Sequence, residues 1–463
     1  MASLDRDQLN EDFEEEYNQE NIEEYEEEYD EETQRREFRR KRRVRNQLIA
    51  YISSAIILIA ILGGAGFGIF QAVNAVNDKK HAQELQAQLE ELAETEPVVV
   101  EAPVETQAPE EPEELDPLNE IVEGCISEMP IEDKVAGLFM ITPEALTGTD
   151  VAVKAGDTTK EKLGQYAVGG LIYFGQNMKS ADQLKEMIST TQSYSKYALF
   201  FGVDEEGGEV SRVAKSGLAD NVGNMAQIGE AGDTAKAKEA GSKVAAYLSD
   251  FGFNVNFAPV ADVILEGNTT IGDRSFGSNA GEVADMVAAN VEGLESNGVS
   301  ACLKHFPGLG SSLEDTHEGM VVSEKTLEDF ETTDFLSFRA GIDAGAEFVM
   351  VSHLSVPQIT GDNTPCSLSS QMITDVLRGQ LGFEGVVITD AMNMTAITDY
   401  YAADEAAVKA ILAGADMILM PEDFELAYNG ILEAVNNGTI TEERIDESLR
   451  RIYRIKCKDK VAE

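Results

Sequence analysis

The sequence predicts a (β/α)₈ TIM-type barrel, preceded by a disordered acidic tail, one transmembrane helix and a Pro/Glu-rich spacer. Its 463 residues exceed one ordinary domain but suit a large barrel with appendages. Composition changes sharply before residue 118, and from there short apolar runs alternate with helical patterns. We therefore expect four regions, which are a cytoplasmic tail (1–47), a transmembrane helix (48–73), a stalk and linker (74–117) and a barrel (118–463).

The acidic tail has almost nothing to bury. Residues 1–32 contain sixteen acidic residues and one arginine, a composition typical of disordered segments. Because this tail contributes heavily to the net charge of −49, the total does not describe a folded surface. Outside residues 35–45 the sequence has no basic stripe that would neutralise phosphates, which argues against a nucleic-acid partner.

A segment without charges follows a basic cluster. Residues 48–70, LIAYISSAIILIAILGGAGFGIF, would form a helix of about 34 Å, long enough to cross a hydrocarbon core. The segment is too long, and begins too far into the chain, for a typical cleaved signal peptide. The charged flanks argue against a buried core helix. Arginines before it and acids after residue 84 predict a single-pass cell-membrane protein with a cytoplasmic N-terminus and an extracytoplasmic barrel.

Two segments separate this helix from the barrel. The first, DKKHAQELQAQLEELAETE, has helical composition and is expected to form a short stalk. Residues 97–117 repeat Pro and Glu without a periodic apolar face, which is typical of an extended spacer. Such a spacer would hold the next domain away from the bilayer.

Eight short apolar runs predict the strands of the barrel. They cover residues 135–142, 169–174, 198–204, 255–262, 300–305, 348–353, 385–390 and 415–420. Continuous apolar runs are typical of buried parallel strands, and the segments between them have apolar residues near helical spacing. An open doubly wound sheet is the alternative fold, but eight strand-helix repeats favour the barrel.

Unusual polar residues occur where the predicted strands end. They are Asp204, Asp262, Lys304, His305, His353 and Asp390. Each one alone would fit a residue that caps the following helix. Their shared position indicates an active site, because the loops at the C-terminal ends of barrel strands converge over the barrel mouth.

Two features of this rim predict the type of reaction. Asp390 ends an apolar strand, which suits a rigidly held nucleophile. Asp315 and His317 are two residues apart on a loop, so that the carboxylate can accept the Nδ1 proton and raise the basicity of the imidazole. A carboxylate nucleophile with a separate acid/base is what retaining glycoside hydrolysis requires.

Residues 118–456 resemble the catalytic barrel of glycoside hydrolase family 3, in particular its single-domain β-N-acetylglucosaminidases. The segments that carry the resemblance are FGVDEEGGEVSR (201–212), IGDRSFG (271–277), KHFPGLG (304–310), DTH (315–317) and VVITDAM (386–392). The first is similar to the D-x-E-G-G segment of the family. The combination is specific, whereas any one segment alone would be a weak signal.

The resemblance implies a role for each matching residue. Asp390 would be the catalytic nucleophile, with His317 and Asp315 as the acid/base dyad peculiar to the N-acetylglucosaminidase branch. The positions implied to bind the sugar are Asp204, Arg212, Arg274, Lys304 and His305. The chain departs from the family at Leu309, where the family often has His, and at Glu205 and Glu209, which replace a common Gln and Arg.

The leading hypothesis is a membrane-anchored, retaining exo-β-N-acetylglucosaminidase that removes terminal β-linked GlcNAc from cell-wall (peptidoglycan) fragments or amino-sugar oligomers. A β-glucosidase or β-glucosaminide phosphorylase on the same barrel would use Asp390 equally well. A non-catalytic wall-binding barrel is the alternative from another class, but sugar binding alone would not need an acid/base on a loop. The expected partners are therefore a carbohydrate substrate and, through the transmembrane helix, the membrane.

No cofactor and no metal are expected. His305 and His317 have roles in the implied sugar chemistry, and His353 fits a hydrogen-bonded rim residue better than a ligand. The four cysteines are widely spaced without a C-x-x-C pair, which argues against zinc. One disulfide in an exported domain would be compatible with this spacing, and its pairing stays open.

Overall fold

The computed structural model describes residues 116–265, 268, 270–311 and 319–461. The predicted tail, the predicted transmembrane helix and nearly all of the predicted linker lie outside these residues, so these expectations stay predictions. Within the described ranges, no helix is both long enough and apolar enough to cross a membrane.

The strands of the described residues form a barrel and one hairpin. In chain order they are β1 (Phe139–Ile141), β2 (Gly170–Tyr173), β3 (Phe200–Val203), β4 (Glu205–Gly207), β5 (Val210–Ser211), β6 (Val255–Asn256), β7 (Ser300–Phe306), β8 (Phe348–Val351), β9 (Val386–Thr389) and β10 (Ile418–Leu419). Strands β4 and β5 pair as an antiparallel hairpin, and the other eight form one sheet in the order β10-β1-β2-β3-β6-β7-β8-β9.

The sheet is parallel and its two outer strands meet. Each neighbouring pair in the order has parallel register, and a further parallel bridge joins Ile388 of β9 to Met417, next to β10. Each of the eight predicted apolar runs overlaps one of these strands. The predicted TIM-type barrel is therefore confirmed, and the open doubly wound sheet is excluded.

Helices cover the outside of the barrel. The longer ones that follow the barrel strands are Asp157–Gln165, Ala181–Tyr194, Thr234–Phe251, Ala280–Glu295, Asp334–Asp343, the π-helix Gln371–Gln380, Ala403–Ala413, Phe424–Asn436 and Glu442–Lys456. The helix Pro117–Ser127 precedes the first strand, and the shorter helices are Ile131–Ala136, Pro143–Thr147, Arg212–Lys215, Met225–Glu230, Leu327–Thr332, Pro357–Thr360 and Thr395–Thr398. Side chains cap the start of several, for example Ser180, Asp233, Asn279 and Asp423, as the sequence signals for helix N-termini predict.

Two of the predicted strands are shorter than expected. The first two residues of the run 135–142 belong to the helix Ile131–Ala136, where Val135 and Ala136 are buried and produce an apolar pattern without being a strand. In the run 255–262, Pro259 lacks the N–H group that a strand ladder needs. The backbone still follows β7 there, since Ala261 N donates to Lys304 O at 2.7 Å.

Aromatic side chains fill the inside of the barrel. The rings of Phe200 on β3 and Phe348 on β8 meet edge to face with centroids 5.1 Å apart, although β6 and β7 lie between these strands in the sheet. Gly202 leaves room for Met140 and Phe257, because a Cβ at this position would contact both side chains. The interior is therefore a packed core, and the open space lies at the ends of the strands.

Candidate active site

A cavity of about 340 Å³ lies at the C-terminal ends of the barrel strands. Its lining includes every predicted site residue that the structure describes, which are Asp204, Arg212, Arg274, Lys304, His305 and Asp390. Asp315 and His317 lie outside the described residues, so their predicted role as a dyad stays a prediction. A larger groove of about 660 Å³ on the outer side of helix Thr234–Phe251 contains none of the predicted site residues.

The hairpin β4–β5 brings two carboxylates into the cavity. Asp204 and Glu206 are two residues apart along extended backbone, so their side chains point to the same side. The hairpin turns at Gly207 and Gly208, with φ values of 106° and 58° that favour glycine. A Cβ on Gly208 would collide with the Asn224 side chain, so glycine is also required by space.

Two cations and two carboxylates form an ion cluster on the cavity wall. Lys304 Nζ lies 2.8 Å from Asp204 Oδ1 and 2.5 Å from Glu206 Oε1. Arg274 grips the same Glu206 with two bonds of 2.8 Å, through Nε and Nη2. The bidentate geometry fixes the guanidinium plane, which a single contact would leave free to rotate.

The members of this cluster hold each other in the charged form. Burial alone would raise the pKa of Glu206, but the charges of Lys304 and Arg274 outweigh it and lower this pKa to about 2. Burial alone would lower the pKa of Lys304, yet Asp204 and Glu206 raise it above its usual value. The cavity therefore offers fixed ammonium and guanidinium donors beside carboxylate acceptors, which are groups that bind sugar hydroxyls.

Asp262 organises the turn that follows β7. Its Oδ2 lies 2.7 Å from His305 Nδ1, and its Oδ1 accepts the backbone N–H groups of Leu309 at 2.6 Å and Gly310 at 3.3 Å. The other ring nitrogen, His305 Nε2, faces Arg274 Nη2 at 3.5 Å. The buried carboxylate of Asp262 thus sets the direction in which His305 presents its ring to the cavity.

Asp390 is half-buried at the tip of β9. Its backbone N donates to Val351 O at 2.9 Å, and its Oδ1 accepts from Ala391 N at 2.8 Å. Burial alone would raise the pKa of Asp390, but electrostatic attraction to His305 and His353 lowers it below its usual value. His353 is itself buried and bonds Ser367 Oγ at 2.8 Å and Ala391 O at 3.0 Å. Asp390 is therefore a rigid, ionised carboxylate.

Arg212 reaches the cavity through loose contacts. Its guanidinium lies over the Phe174 ring at 5.6 Å, and Nη2 is 3.8 Å from Asp204 Oδ2. Its Nε atom is buried and has no hydrogen-bond partner among the described residues. A buried donor without a partner costs free energy, so the side chain of Arg212 is less firmly held than that of Arg274.

Apolar side chains also line the cavity. They include Met350, Met394, Leu419 and Met420. Met420 has a φ of 45°, a conformation that L-residues other than glycine rarely adopt. The cavity therefore combines the charged cluster with apolar surface, which suits a sugar with one apolar substituent or face.

Residues 130–455 match the family described as the glycosyl hydrolase family 3 N-terminal domain. The match covers more than half of the chain and includes every residue that lines the cavity. The chain belongs to glycosyl hydrolase family 3.

Relatives of this family 3 chain include β-hexosaminidases. It is 34% identical over 273 residues to a β-hexosaminidase of Nitrosomonas eutropha, covering 58% of this chain and 77% of that protein. It is 31% identical over 327 residues to β-hexosaminidase A of Pseudoalteromonas piscicida, covering 64% of this chain. The alignment spans 54% of the Pseudoalteromonas protein, so the chain spans about half the length of that relative.

A solved structure has the same barrel. The family 3 β-N-acetylglucosaminidase from Paenibacillus sp. str. FPU-7 superposes with a TM-score of 0.67 at 34% sequence identity, over 72% of this chain and 64% of that one. Together with the relatives, this match confirms the predicted family and its β-hexosaminidase branch, and it confirms the prediction that the family 3 chain is a glycoside hydrolase of the β-N-acetylhexosaminidase type.

Sequence reasoning did not assign Glu206 or Asp262 to the site of this family 3 barrel. Glu206 is part of the quoted D-x-E-G-G segment, and Asp262 was recognised only as a strand-end residue. Alternation along an extended β4 would have separated Glu206, which faces the cavity, from Glu205, which does not. The apolar run predicts a strand that ends at Asp204 and no hairpin after it, so the sequence alone does not separate these two residues.

The side chains that could bind a metal ion do not form a metal centre in the part of the chain that the structure describes. In the ranges that the structure covers, no group of three or more His, Cys, Asp or Glu residues is arranged to hold a metal ion. All four cysteines are free, and Cys302, Cys366 and Cys457 are buried.

Proposed function

We propose that the chain is a retaining exo-β-N-acetylglucosaminidase that hydrolyses terminal β-linked GlcNAc from amino-sugar oligomers of the cell wall. The observation that supports this best is the shared cavity, in which Asp390 faces the same space as the cluster of Lys304, Glu206 and Arg274. Ligand pockets commonly measure about 300–1,000 Å³. At about 340 Å³ this one is small and suits a single terminal sugar better than the interior of a chain.

The first step of the proposed reaction forms a glycosyl-enzyme. A carboxylate oxygen of Asp390 attacks the anomeric carbon while the bond from that carbon to the leaving oxygen breaks. His317, oriented by Asp315, donates a proton to the leaving oxygen. The low pKa of Asp390 keeps the nucleophile ionised, and its bond to Ala391 N aims the carboxylate.

The second step releases the sugar. His317 takes a proton from water, the water oxygen attacks the anomeric carbon, and Asp390 leaves as a carboxylate. Throughout both steps Lys304, Arg274 and Asp204 would bind the hydroxyl groups of the ring. The carboxylate of Asp390, held by Ala391 N, needs no reorganisation as positive charge develops at the anomeric carbon, which is the condition for electrostatic stabilisation of a transition state.

Paired aryl substrates test the activity. We expect kcat/KM for a 4-nitrophenyl β-N-acetylglucosaminide to exceed that for the matching β-glucoside by about 10²-fold or more, because polar groups built for the 2-acetamido group would lose their partner in the glucoside. A preference for the glucoside would support the β-glucosidase alternative. Hydrolysis of neither substrate would support the wall-binding alternative.

A trapping experiment tests the role of Asp390. A 2-deoxy-2-fluoro sugar with a good leaving group should accumulate as a covalent glycosyl-enzyme, and peptide mass mapping should locate it within the β9 peptide that contains Asp390. The variant Asp390→Asn should not be labelled. Labelling of a different carboxylate would contradict the assignment.

We also propose that a helix within residues 48–73 anchors the chain in the cell membrane, with the N-terminus in the cytoplasm and the barrel outside. The arginine-rich segment before the apolar stretch supports this orientation. Protease added to intact protoplasts should release the barrel. A protected barrel together with a digested N-terminal segment would contradict the proposed topology.

A further inference from the structure

Glu205 lies between two cavity residues but points away from the cavity. Asp204 and Glu206 on either side line the cavity, whereas Glu205 does not. It is nevertheless buried, with 1% of its surface exposed. A buried carboxylate needs hydrogen-bond donors, and the donors of Glu205 show what it holds.

Three donors converge on the Glu205 carboxylate. Oε2 accepts from Val213 N at 2.7 Å, and Oε1 accepts from Ala214 N at 3.0 Å. These are the second and third residues of the short helix Arg212–Lys215. The Tyr247 hydroxyl, on the long helix Thr234–Phe251, donates to Oε1 at 2.9 Å. One carboxylate therefore joins the start of the short helix to the wall of the barrel.

The Glu205 backbone is equally well held. Its backbone N donates to Asn256 Oδ1 at 3.0 Å, so the hairpin is not the only element that holds it. In return Asn256 Nδ2 donates to Glu205 O at 3.0 Å. Asn256 is part of barrel strand β6, so the position of Glu205 is tied to the barrel itself.

Arg212 depends on this support because its own side-chain contacts are weak. Its nearest carboxylate contact is 3.8 Å, its ring contact with Phe174 is 5.6 Å, and its buried Nε has no partner among the described residues. Nothing in these contacts fixes the guanidinium as firmly as Glu206 fixes Arg274. The placement of Arg212 therefore relies on its backbone, which Glu205 holds through the next two N–H groups.

We infer that Glu205 is a positioning residue that places the Arg212 guanidinium at the sugar site. This inference rests on the proposed function, since Arg212 lines the cavity that the proposal assigns to the sugar. Glu205 does not touch the sugar. Its effect passes through the start of the helix Arg212–Lys215, with Tyr247 as the outer support of the same carboxylate.

A double-mutant cycle separates positioning from a merely structural role. Glu205→Ala in the otherwise unchanged enzyme should lower kcat/KM for the aryl β-N-acetylglucosaminide by about 10- to 100-fold, in line with the coupling of residues that act together. In an Arg212→Ala background the same change should cost less than about 2-fold. Equal losses in both backgrounds, or no loss in the first, would overturn the inference.

Matched variants control for folding. Glu205→Gln retains one acceptor oxygen and should recover most of the activity, with a loss of about 5-fold or less, and Tyr247→Phe should cost only a few-fold. Both can be placed in the same cycle if Glu205→Ala does not fold. Glu209→Ala, on the same hairpin with an 82% exposed side chain, should leave activity unchanged. Inactivity of the unmodified protein on both aryl substrates would instead overturn the proposed function, and this inference with it.

Discussion

At the scale of single residues, the site is an alternation of opposite charges. Asp204, Lys304, Glu206 and Arg274 contact each other in that order, and each carboxylate or cation is stabilised by the next. Glu206 is the centre of this series, because it alone contacts both Lys304 and Arg274. Removing its charge would leave two buried cations beside one carboxylate.

We therefore predict that Glu206→Gln damages both stability and activity. Breaking a buried ion pair by removing one partner costs about 3–5 kcal/mol. We expect a lower free energy of unfolding by urea and a loss of at least about 10²-fold in kcat/KM. The control is Glu209→Gln, the same substitution on the same hairpin at an exposed pair of 3.7 Å, where we expect changes within about 0.5 kcal/mol. Similar effects of both substitutions would show that Glu206 is not the centre of the cluster.

Much of the site could be predicted from the sequence because of where its residues stand. Asp204 and Asp390 directly follow buried strands, Lys304 and His305 lie near the end of β7, and parallel strands bring their C-terminal ends together. The role of Glu206 could not be predicted, because residues 204–206 are three consecutive acids. Which of them faces the cavity depends on the hairpin that they begin. The links made by Asp262 depend on side-chain contacts between distant residues, which no local pattern encodes.

At the scale of elements, the turn after β7 depends on one carboxylate from the neighbouring segment. Asp262 accepts from His305 N, Leu309 N and Gly310 N, so it replaces the hydrogen bonds that this non-repetitive backbone cannot make with itself. Gly308, with a φ of 136°, sits against Asp334 where a Cβ would collide with the carboxylate. The shape of the turn is therefore set by its surroundings.

We predict that Asp262→Ala loosens this turn. Several buried N–H groups and His305 Nδ1 would lose their acceptor, at about 1–3 kcal/mol for each unsatisfied buried group. The melting temperature and kcat/KM should both fall, and amide hydrogen exchange of Leu309 and Gly310 should accelerate. Asp233→Ala removes an exposed helix cap instead and should cost only about 1 kcal/mol without loss of activity. Unchanged exchange rates at Leu309 and Gly310 would contradict the role of Asp262.

At the scale of the whole barrel, the face opposite the cavity carries its own titratable group. Glu295 accepts from Ala301 N, the second residue of β7, at 2.7 Å. Lys458 binds Glu347, the residue immediately before β8, at 2.7 Å. Burial, together with the negative charge of Glu347, raises the pKa of Glu295 to about 8. Glu295 is therefore protonated in the folded barrel at pH values where the unfolded chain has lost this proton.

The sign of the resulting pH dependence follows from proton binding. Between about pH 4.5 and about pH 8 the folded state holds more protons at Glu295 than the unfolded state, so this group makes stability fall as pH rises. Glu295→Gln resembles the protonated form, so its melting temperature should decline less as pH rises. Near pH 8 this decline should be smaller than that of the unmodified protein by about 2 °C or more. Glu292→Gln, an exposed pair on the same helix, should leave the profile unchanged. Parallel profiles for Glu295→Gln and the unmodified protein would refute this prediction.

The chain enters the barrel at the face opposite the cavity. Asp116 forms an ion pair of 3.0 Å with Arg454, near the end of the last long helix, and Lys456 of that helix donates to Gly169 O at 2.8 Å, immediately before β2. Residue 116 thus lies where the strands begin, whereas substrate enters where they end. The barrel could consequently be coupled to a bead, an electrode or a cell surface through its N-terminal side without the support blocking the mouth. A support attached through loops at the strand ends would obstruct it.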